Sequence, residues 1–240
     1  LTVKILVWAI VLAFGVAAIV ALLCHRIVYR PLARQKPSTY TMILASFATG
    51  LIVRYILFLF AERFELFDLR IAVPQAIWLQ NDWVTLTNIF FWVVPTSIAL
   101  VIVLSLILNY TALGRDMRAL ADNLTLARII GIPVDRVHDL TWLLVGGLAG
   151  VAGALWGIYT FVEPLVGWLA ILSVFAATVL GGMTSFSGTI LGAYLVGFSE
   201  NVIMQVLNHY TGLDFSFKPA IPFIIIIFVL LIRPQGLKNN

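Results

Sequence analysis

The sequence predicts an all-α, polytopic transmembrane bundle of about seven spans, and three observations carry that reading. Hydrophobic residues make up 62% of the 240 residues and charged residues only 11%, against about half and about a quarter in soluble domains. The mean hydropathy is +1.05. The apolar residues are gathered into runs long enough to cross a hydrocarbon core of about 30 Å, not into the alternating strands of about ten residues that build a barrel. The net charge of +4 is explained by basic loops on one side of a membrane and calls for no nucleic acid. Cys24 is alone, which excludes an internal disulfide, and His25, His138 and His209 have no metal-ligand spacing.

Ile5–Cys24 is the first span; Lys4 precedes it as in a signal peptide, but no small-x-small cleavage site follows. The start at Leu1, in place of Met, points to a fragment or a processed chain. His25–Thr39 is a basic connector in which Pro31 and Pro37 are expected to stop the helix. Tyr40–Ala61 is the second span and holds one charge, Arg54. Glu62–Asn88 is polar, with Glu62, Glu65, Asp68 and Asp82 among Phe64, Phe67, Trp78 and Trp83, aromatics suited to a headgroup interface. Ile89–Tyr110, with Pro95 near its start, is the third span and Thr141–Val162 the fourth. Glu163 and Pro164 turn the chain into Leu165–Met183, and Thr184–Phe186 reverse it into Ser187–Leu207. Asn208–Pro219 is a loop, and Ala220–Ile232 is the last span, closed by Arg233-Pro234.

Between the third and fourth spans lies Thr111–Leu140, a polar interruption with a helical pattern of its own. Met117, Leu120, Ala121, Leu124 and Ala127 share one face of a single helix, Arg115, Asp116, Arg118, Asp122, Asn123, Thr125 and Arg128 occupy the others, and Gly131 and Pro133 supply the stop. Such an amphipathic segment is where a partner is expected to dock. With spans alternating sides, Arg26, Arg30, Arg34, Lys36, Arg115, Arg118, Arg128, Arg136, Arg233 and Lys238 fall together, ten of the 15 basic residues. Lys4, Arg63, Arg70 and Lys218 fall opposite. The positive-inside rule puts the amphipathic segment and the C-terminus in the cytoplasm and Leu1 outside.

Small residues four apart let helix backbones approach closely in lipid. Gly146 with Gly150, Gly153 with Gly157, and Gly188 with Gly192 have that spacing, and Gly181-Gly182 opens the reversal. Tight packing is one reading, and rocking of one helix on another during a transport cycle is the second. Arg54 and Glu200 are ionisable groups inside spans, which usually face an interior or a water-filled path. They are expected to line a pathway, with a structural ion pair or a snorkelling arginine as the competing reading. The chain carries no phosphate-binding glycine loop, nucleophile elbow, HExxH or paired catalytic carboxylates. The histidines near span ends read as ordinary solvated side chains.

From Gly114 onward the residues resemble a known family. Gly114, Arg115, Arg118, Ala119, Asn123, Ala127, Gly131, Ile132, Arg136 and Val137 follow the cytoplasmic loop pattern of the branched-chain amino-acid permeases of ABC importers, the LivH/LivM family. Ala176–Glu200 and Leu230–Leu237 continue the resemblance, and Tyr29-Arg30-Pro31-Leu32 is similar to the LivH branch in particular. Thr184 and Ala193 stand where the family commonly has glycine. The family normally begins with about two more helices, so the resemblance implies an incomplete subunit that lacks the N-terminal part.

The resemblance implies a permease subunit that works with a second permease subunit, two ATP-binding subunits and an extracytoplasmic amino-acid-binding protein. It also implies a plasma-membrane location, with no cofactor on this chain and ATP and Mg bound by the partner ATPase. Arg115–Ile130 would then be the coupling helix gripped by the ATPase, with Arg115, Arg118, Leu120, Asn123, Leu124, Ala127 and Gly131 as its contact residues. An apolar face would bury against the ATPase or the end of the bundle while Arg and Asp form a polar rim. Urea and short-amide permeases are similar to the same branch. An ion-coupled carrier or channel using Glu200 and Arg54 is an alternative of another class, and a membrane-bound enzyme or scaffold a third.

Overall fold

An apolar run in hydrocarbon must satisfy every backbone N–H and C=O internally, and the α-helix does so. The computed structural model describes residues 2–35, 37–66, 77–80, 85–87, 90–159, 162, 164–182 and 185–232. Among them, six helical stretches are long and apolar enough to cross a membrane, the last running Phe215–Ile232, and one further apolar helix is shorter. The bundle of about seven spans is thus six long helices and one short one. They divide into two units, Leu1–Pro164 and Leu165–Asn240.

In the first unit, α1 (Thr2–Cys24) does not stop at the basic connector. It continues through a π-helical turn, His25–Tyr29, into α2 (Arg30–Arg34). Pro31 was expected to end the helix. A proline lacks the N–H and crowds the carbonyl four residues back; here the wider π turn, in which the Arg30 N–H reaches the His25 carbonyl, lies directly before it and makes room. The helix ends instead near Gln35, and α3 (Thr39–Arg63) starts after Pro37 with Ser38 as its cap, accepting from the Thr41 N–H at 3.3 Å.

Within the polar stretch that follows, Ile77–Gln80 (β1) and Thr85–Thr87 (β2) pair as a small antiparallel hairpin, a minor addition to a helical fold. Phe67, Asp68, Asp82 and Trp83 lie outside the described residues. The exposed Trp78 ring packs 5.6 Å from that of Phe91, at the start of α4 (Phe90–Tyr110).

The fourth long helix, α7 (Val134–Tyr159), begins seven residues before the expected Thr141. Pro133 is compatible with a helix entrance, and Asp135 in the first turn complements the positive end of the helix dipole. The polar run Asp135–Asp139 is therefore helical, not loop. Against α1, α7 forms a seam of small residues. A Cβ on Gly146 would overlap Ala17 and Ala21, on Gly150 it would overlap Ala13 and Ala17, and on Gly147 it would overlap the Phe14 ring. Gly153, by contrast, faces open space. Val151, Leu155 and Ile158 are the buried apolar side chains of α7's second half.

The second unit comprises α8 (Val166–Gly181), α9 (Phe186–Thr211), a 3-10 turn at Phe215–Phe217 and α10 (Ala220–Ile232). The 16 residues of α8 reach about 24 Å at 1.5 Å per residue, short of a 30 Å core. Its connection to α9 is compact: Gly182 has φ +89°, a conformation glycine adopts freely, and the Ser185 hydroxyl accepts from the Gly188 N–H at 3.1 Å. Met183 and Thr184 lie outside the described residues. A Cβ on Gly181 would overlap the Gly188 backbone, and one on Gly188 the Gly181 carbonyl. Gly192 similarly lies against the carbonyl of Ala177. Ala176, Ala177 and Val196 form the core here, flanked by Leu180 and by Ile225 and Ile226 of α10. The helix α9 runs past the expected Leu207 to Thr211, where Gly212 (φ +70°) provides a left-handed end. Arg233, Pro234 and Lys238 fall outside the described residues.

Candidate functional site

The polar interruption between α4 and α7 folds as two helices, α5 (Ala112–Asp122) and α6 (Leu124–Ile129), not as the single helix its periodicity predicts. The break is Asn123. Its backbone is extended (φ −156°, ψ 101°), its N–H closes α5 on the Ala119 carbonyl, and its side chain opens α6 by accepting from the Leu126 N–H at 3.0 Å. Asparagine is among the strongest N-cap residues, and here that local preference wins over the continuing apolar pattern. Sequence spacing counted Leu124 and Ala127 on the same face as Met117, Leu120 and Ala121. After the break that register is lost. Ala127 is buried, Leu120 half-buried, and Leu124 exposed.

Both ends of the segment are braced. Thr111 caps α5 through the Gly114 N–H. A Cβ on Gly114 would collide with the Ile107 and Leu108 carbonyls at the end of α4. Arg118 donates to the Leu108 carbonyl at 2.8 Å, satisfying one of the orphan acceptors at that helix terminus. Arg115 stays exposed. At the other end the Ile132 N–H returns to the Ala127 carbonyl at 3.0 Å around Gly131, whose φ is +85°. With the backbone so held, Leu126, Ile129 and Ile130 stand out, the last two 76% and 65% exposed. An exposed apolar cluster on a polar loop has the character of a contact surface.

Next to this loop the start of α7 is tied to the continued end of α1. Arg26 meets Asp139 through two nitrogens, at 2.7 and 3.3 Å, and Arg30 pairs with Asp135. Each helix contributes residues four apart, and the antiparallel course matches 26 with 139 and 30 with 135. His25 is buried beside this ladder, its Nε2 3.7 Å from Asp139 Oδ1. Its ring stacks on Trp142 at 5.4 Å and meets His138 edge-on at 6.0 Å, and Tyr29 stacks on Trp142 at 4.9 Å. His25 is therefore not the solvated histidine expected. Reading the sequence for loops missed the ladder because it placed all these residues outside helices. The signal was nonetheless present: Arg26 and Arg30, and likewise Asp135 and Asp139, repeat one charge at i,i+4, which puts each pair on one face of a helix.

The two intramembrane charges are each engaged within their own unit. Glu200 accepts from the Ser173 hydroxyl at 2.9 Å, linking α8 to α9. The Arg54 guanidinium lies 5.9 Å from the Tyr55 ring centroid and 5.6 Å from that of Phe58, within cation–π range. Among the described residues no cluster of three or more His, Cys, Asp or Glu could hold a metal ion.

Long apolar helices with glycine seams, joined by a braced extramembrane segment, define a polytopic helical membrane protein. Residues 1–230 match the family described as branched-chain amino acid transport system / permease component, and the chain belongs to that family. It is 32% identical over 231 residues to a probable branched-chain amino acid transport permease protein LivH of Methanocaldococcus jannaschii, covering 94% of this chain and 72% of that protein. It is 32% identical over 158 residues to the high-affinity branched-chain amino acid transport system permease protein LivH of Escherichia coli K12, covering 65% of this chain and 49% of that one. The corresponding BraD protein of Pseudomonas aeruginosa is 34% identical over 138 residues, 57% of this chain and 43% of its own length. The chain thus spans about half the length, or less, of the two bacterial relatives. No solved structure gives a significant match.

Proposed function

We propose that the chain forms part of the membrane pathway of an ABC importer for branched-chain amino acids, driven by ATP hydrolysis on a separate subunit. Membership of the permease family over residues 1–230 carries this reading. On it, the partners are a second permease subunit, two ATP-binding subunits and an extracytoplasmic amino-acid-binding protein, in the plasma membrane. ATP and Mg belong to the ATPase, and this chain supplies no catalytic group. The excess of arginine around α5, α6 and the start of α7 supports a cytoplasmic position for that segment, with Leu1 outside and the C-terminus inside.

The geometry supports a specific route for coupling. The apolar side chains Leu126, Ile129 and Ile130 offer the ATPase a grip, with Arg115 and Arg128 as an exposed polar rim. This shifts the contact surface from the half-buried Leu120 toward α6, where Leu124 is also exposed. Because Arg118 and Gly114 seat α5 on the end of α4, and Arg26–Asp139 and Arg30–Asp135 join α7 to α1, displacement of α6 would carry those helices with it as packed bodies. Arg54 and Glu200 are proposed to border the pathway, and the glycine seams at Gly146/Gly150 and Gly181/Gly188/Gly192 to set where helices remain in close contact.

The test is co-expression of the full-length subunit with its companion permease and ATPase genes. ATPase co-purification and ATP-dependent uptake of labelled leucine are the expected results. If no ATPase co-purifies and uptake ignores ATP, the proposal is wrong. Leu126→Asp with Ile129→Asp should abolish ATPase association while helicity is retained; intact association would place the grip elsewhere.

A further inference from the structure

Arg34 at the end of α2, Arg128 at the end of α6 and Arg136 in the first turn of α7 line one open cleft of about 710 Å³ together with Ile132, Pro133 and Asp135. All three arginines are exposed, and none pairs with a carboxylate among the described residues. Asp135, the acidic group in the cleft, is already taken by Arg30. The cleft also contains the entrance of α7. The leading N–H groups of any helix lack an intrahelical acceptor, and Pro133 has no side-chain acceptor with which to cap them. Three guanidinium groups and a helix N-terminus thus line one cleft whose single carboxylate, Asp135, is shared with Arg30.

The geometry points to a binding site for a phosphate group, carried on an anionic lipid headgroup or as the soluble ion. A phosphate offers more acceptor oxygens than a carboxylate and suits several guanidinium forks at once. Depth agrees. The apolar part of α7 begins at Leu140, and Arg136 lies four residues before it, about 6 Å along the helix. That is the thickness of the headgroup layer beside a 30 Å core. A ligand here would bridge the end of the α1–α2 helix, the loop helix α6 and the start of α7, fixing the three to one another.

The test uses the purified full chain in a zwitterionic detergent at low and moderate salt, titrated with dioctanoyl-phosphatidylglycerol, dioctanoyl-phosphatidylcholine and inorganic phosphate. Saturable binding of the anionic lipid or of phosphate is expected, with affinity reduced about tenfold or more in R34Q/R128Q/R136Q, since each lost charge-assisted contact contributes strongly. Arg115→Gln, one cation removed outside the cleft, should bind as the parent does. If phosphate competes with the lipid at equal concentration, the soluble ion is a source; if the lipid binds and phosphate does not compete, the headgroup is. Should the triple variant misfold, Arg128→Gln alone must still weaken binding measurably. The inference is overturned if no anion binds saturably or if binding survives the triple substitution. It is equally overturned if Arg115→Gln weakens binding as much.

Discussion

Each of this chain's two units is built around a glycine seam of its own, and the two seams are built differently. Between α8 and α9 the partners are neighbours in sequence, and glycines meet backbone to backbone, with Gly181 against Gly188 and Gly192 against Ala177. Between α1 and α7 the partners are more than a hundred residues apart. There glycines occur on one helix only, and the other presents Ala13, Ala17, Ala18 and Ala21. The first seam ends in a capped turn and is crossed by a hydrogen bond from Ser173 to Glu200. The second ends in a two-rung charge ladder over stacked aromatics. Glycine facing glycine tolerates no side chain on either helix, whereas glycine facing alanine leaves the closeness of the helices divided between two sequences.

The largest effect should come from the backbone-to-backbone seam. Gly188→Val would drive a branched side chain into the Gly181 carbonyl, an overpacking that costs roughly 3 kcal/mol or more where backbone has to move. Loss of folded protein by size-exclusion yield in detergent is expected. Wild-type yield would mean that α8 and α9 do not depend on this contact.

A paired substitution sharpens the second seam. Gly150→Leu should destabilise the protein by about 1–3 kcal/mol, because α1 backbone and Ala17 occupy the space. Gly153→Leu, three residues on, faces open space and should change thermal stability little. Equal effects of the two would show that helical spacing, and not contact with α1, governs this region.

How much of this was legible beforehand follows from the same contrast. The glycine spacing in α7 and α9 reads directly from the sequence. The alanines of α1 do not, because in a run of about twenty apolar residues every face looks alike. Gly147 gives no signal for a related reason: it lies outside the four-residue spacing, yet the Phe14 ring takes the space a side chain would need. The helical bundle was legible because lipid leaves the backbone few choices. Helix ends at polar residues were not, since Arg26, Arg30, Asp135 and Asp139 look like loop charges until two helices bring them together. In the extramembrane segment the existence of helix was legible and its break was not. The asparagine that divides it sat in plain view among the polar positions, counted as surface.

The charge ladder offers a smaller perturbation at the open end of the α1–α7 seam. Asp139→Asn would leave Arg26 without its carboxylate, and a drop of a few degrees in melting temperature is expected. Arg26→Gln in the same background should add almost nothing, since the pair is already broken, and the charge-exchanged R26D/D139R protein should recover part of the loss. Fully additive single effects would mean that the two side chains do not couple in solution. Because the Arg26 side chain is exposed, the loss should also shrink as salt rises.

The smallest expected effect lies where α5 gives way to α6. Asn123→Ala removes the side chain that caps α6 while leaving the positions on either side compatible with helix. Loss of a cap of this kind costs about 1 kcal/mol. It would also lift the local bias that interrupts the apolar pattern, since alanine has the highest helix propensity of any residue. The two consequences oppose each other in stability but not in geometry. If α5 and α6 merge, Leu124 and Ala127 return to the face of Met117 and Leu120, and Ile129 rotates away from its exposed position. Spin labels at positions 116 and 128 would then report a longer, narrower distance distribution, as expected for one straight helix. An unchanged distribution would mean that Gly114, Arg118 and the Ala127–Ile132 hydrogen bond hold the break without Asn123.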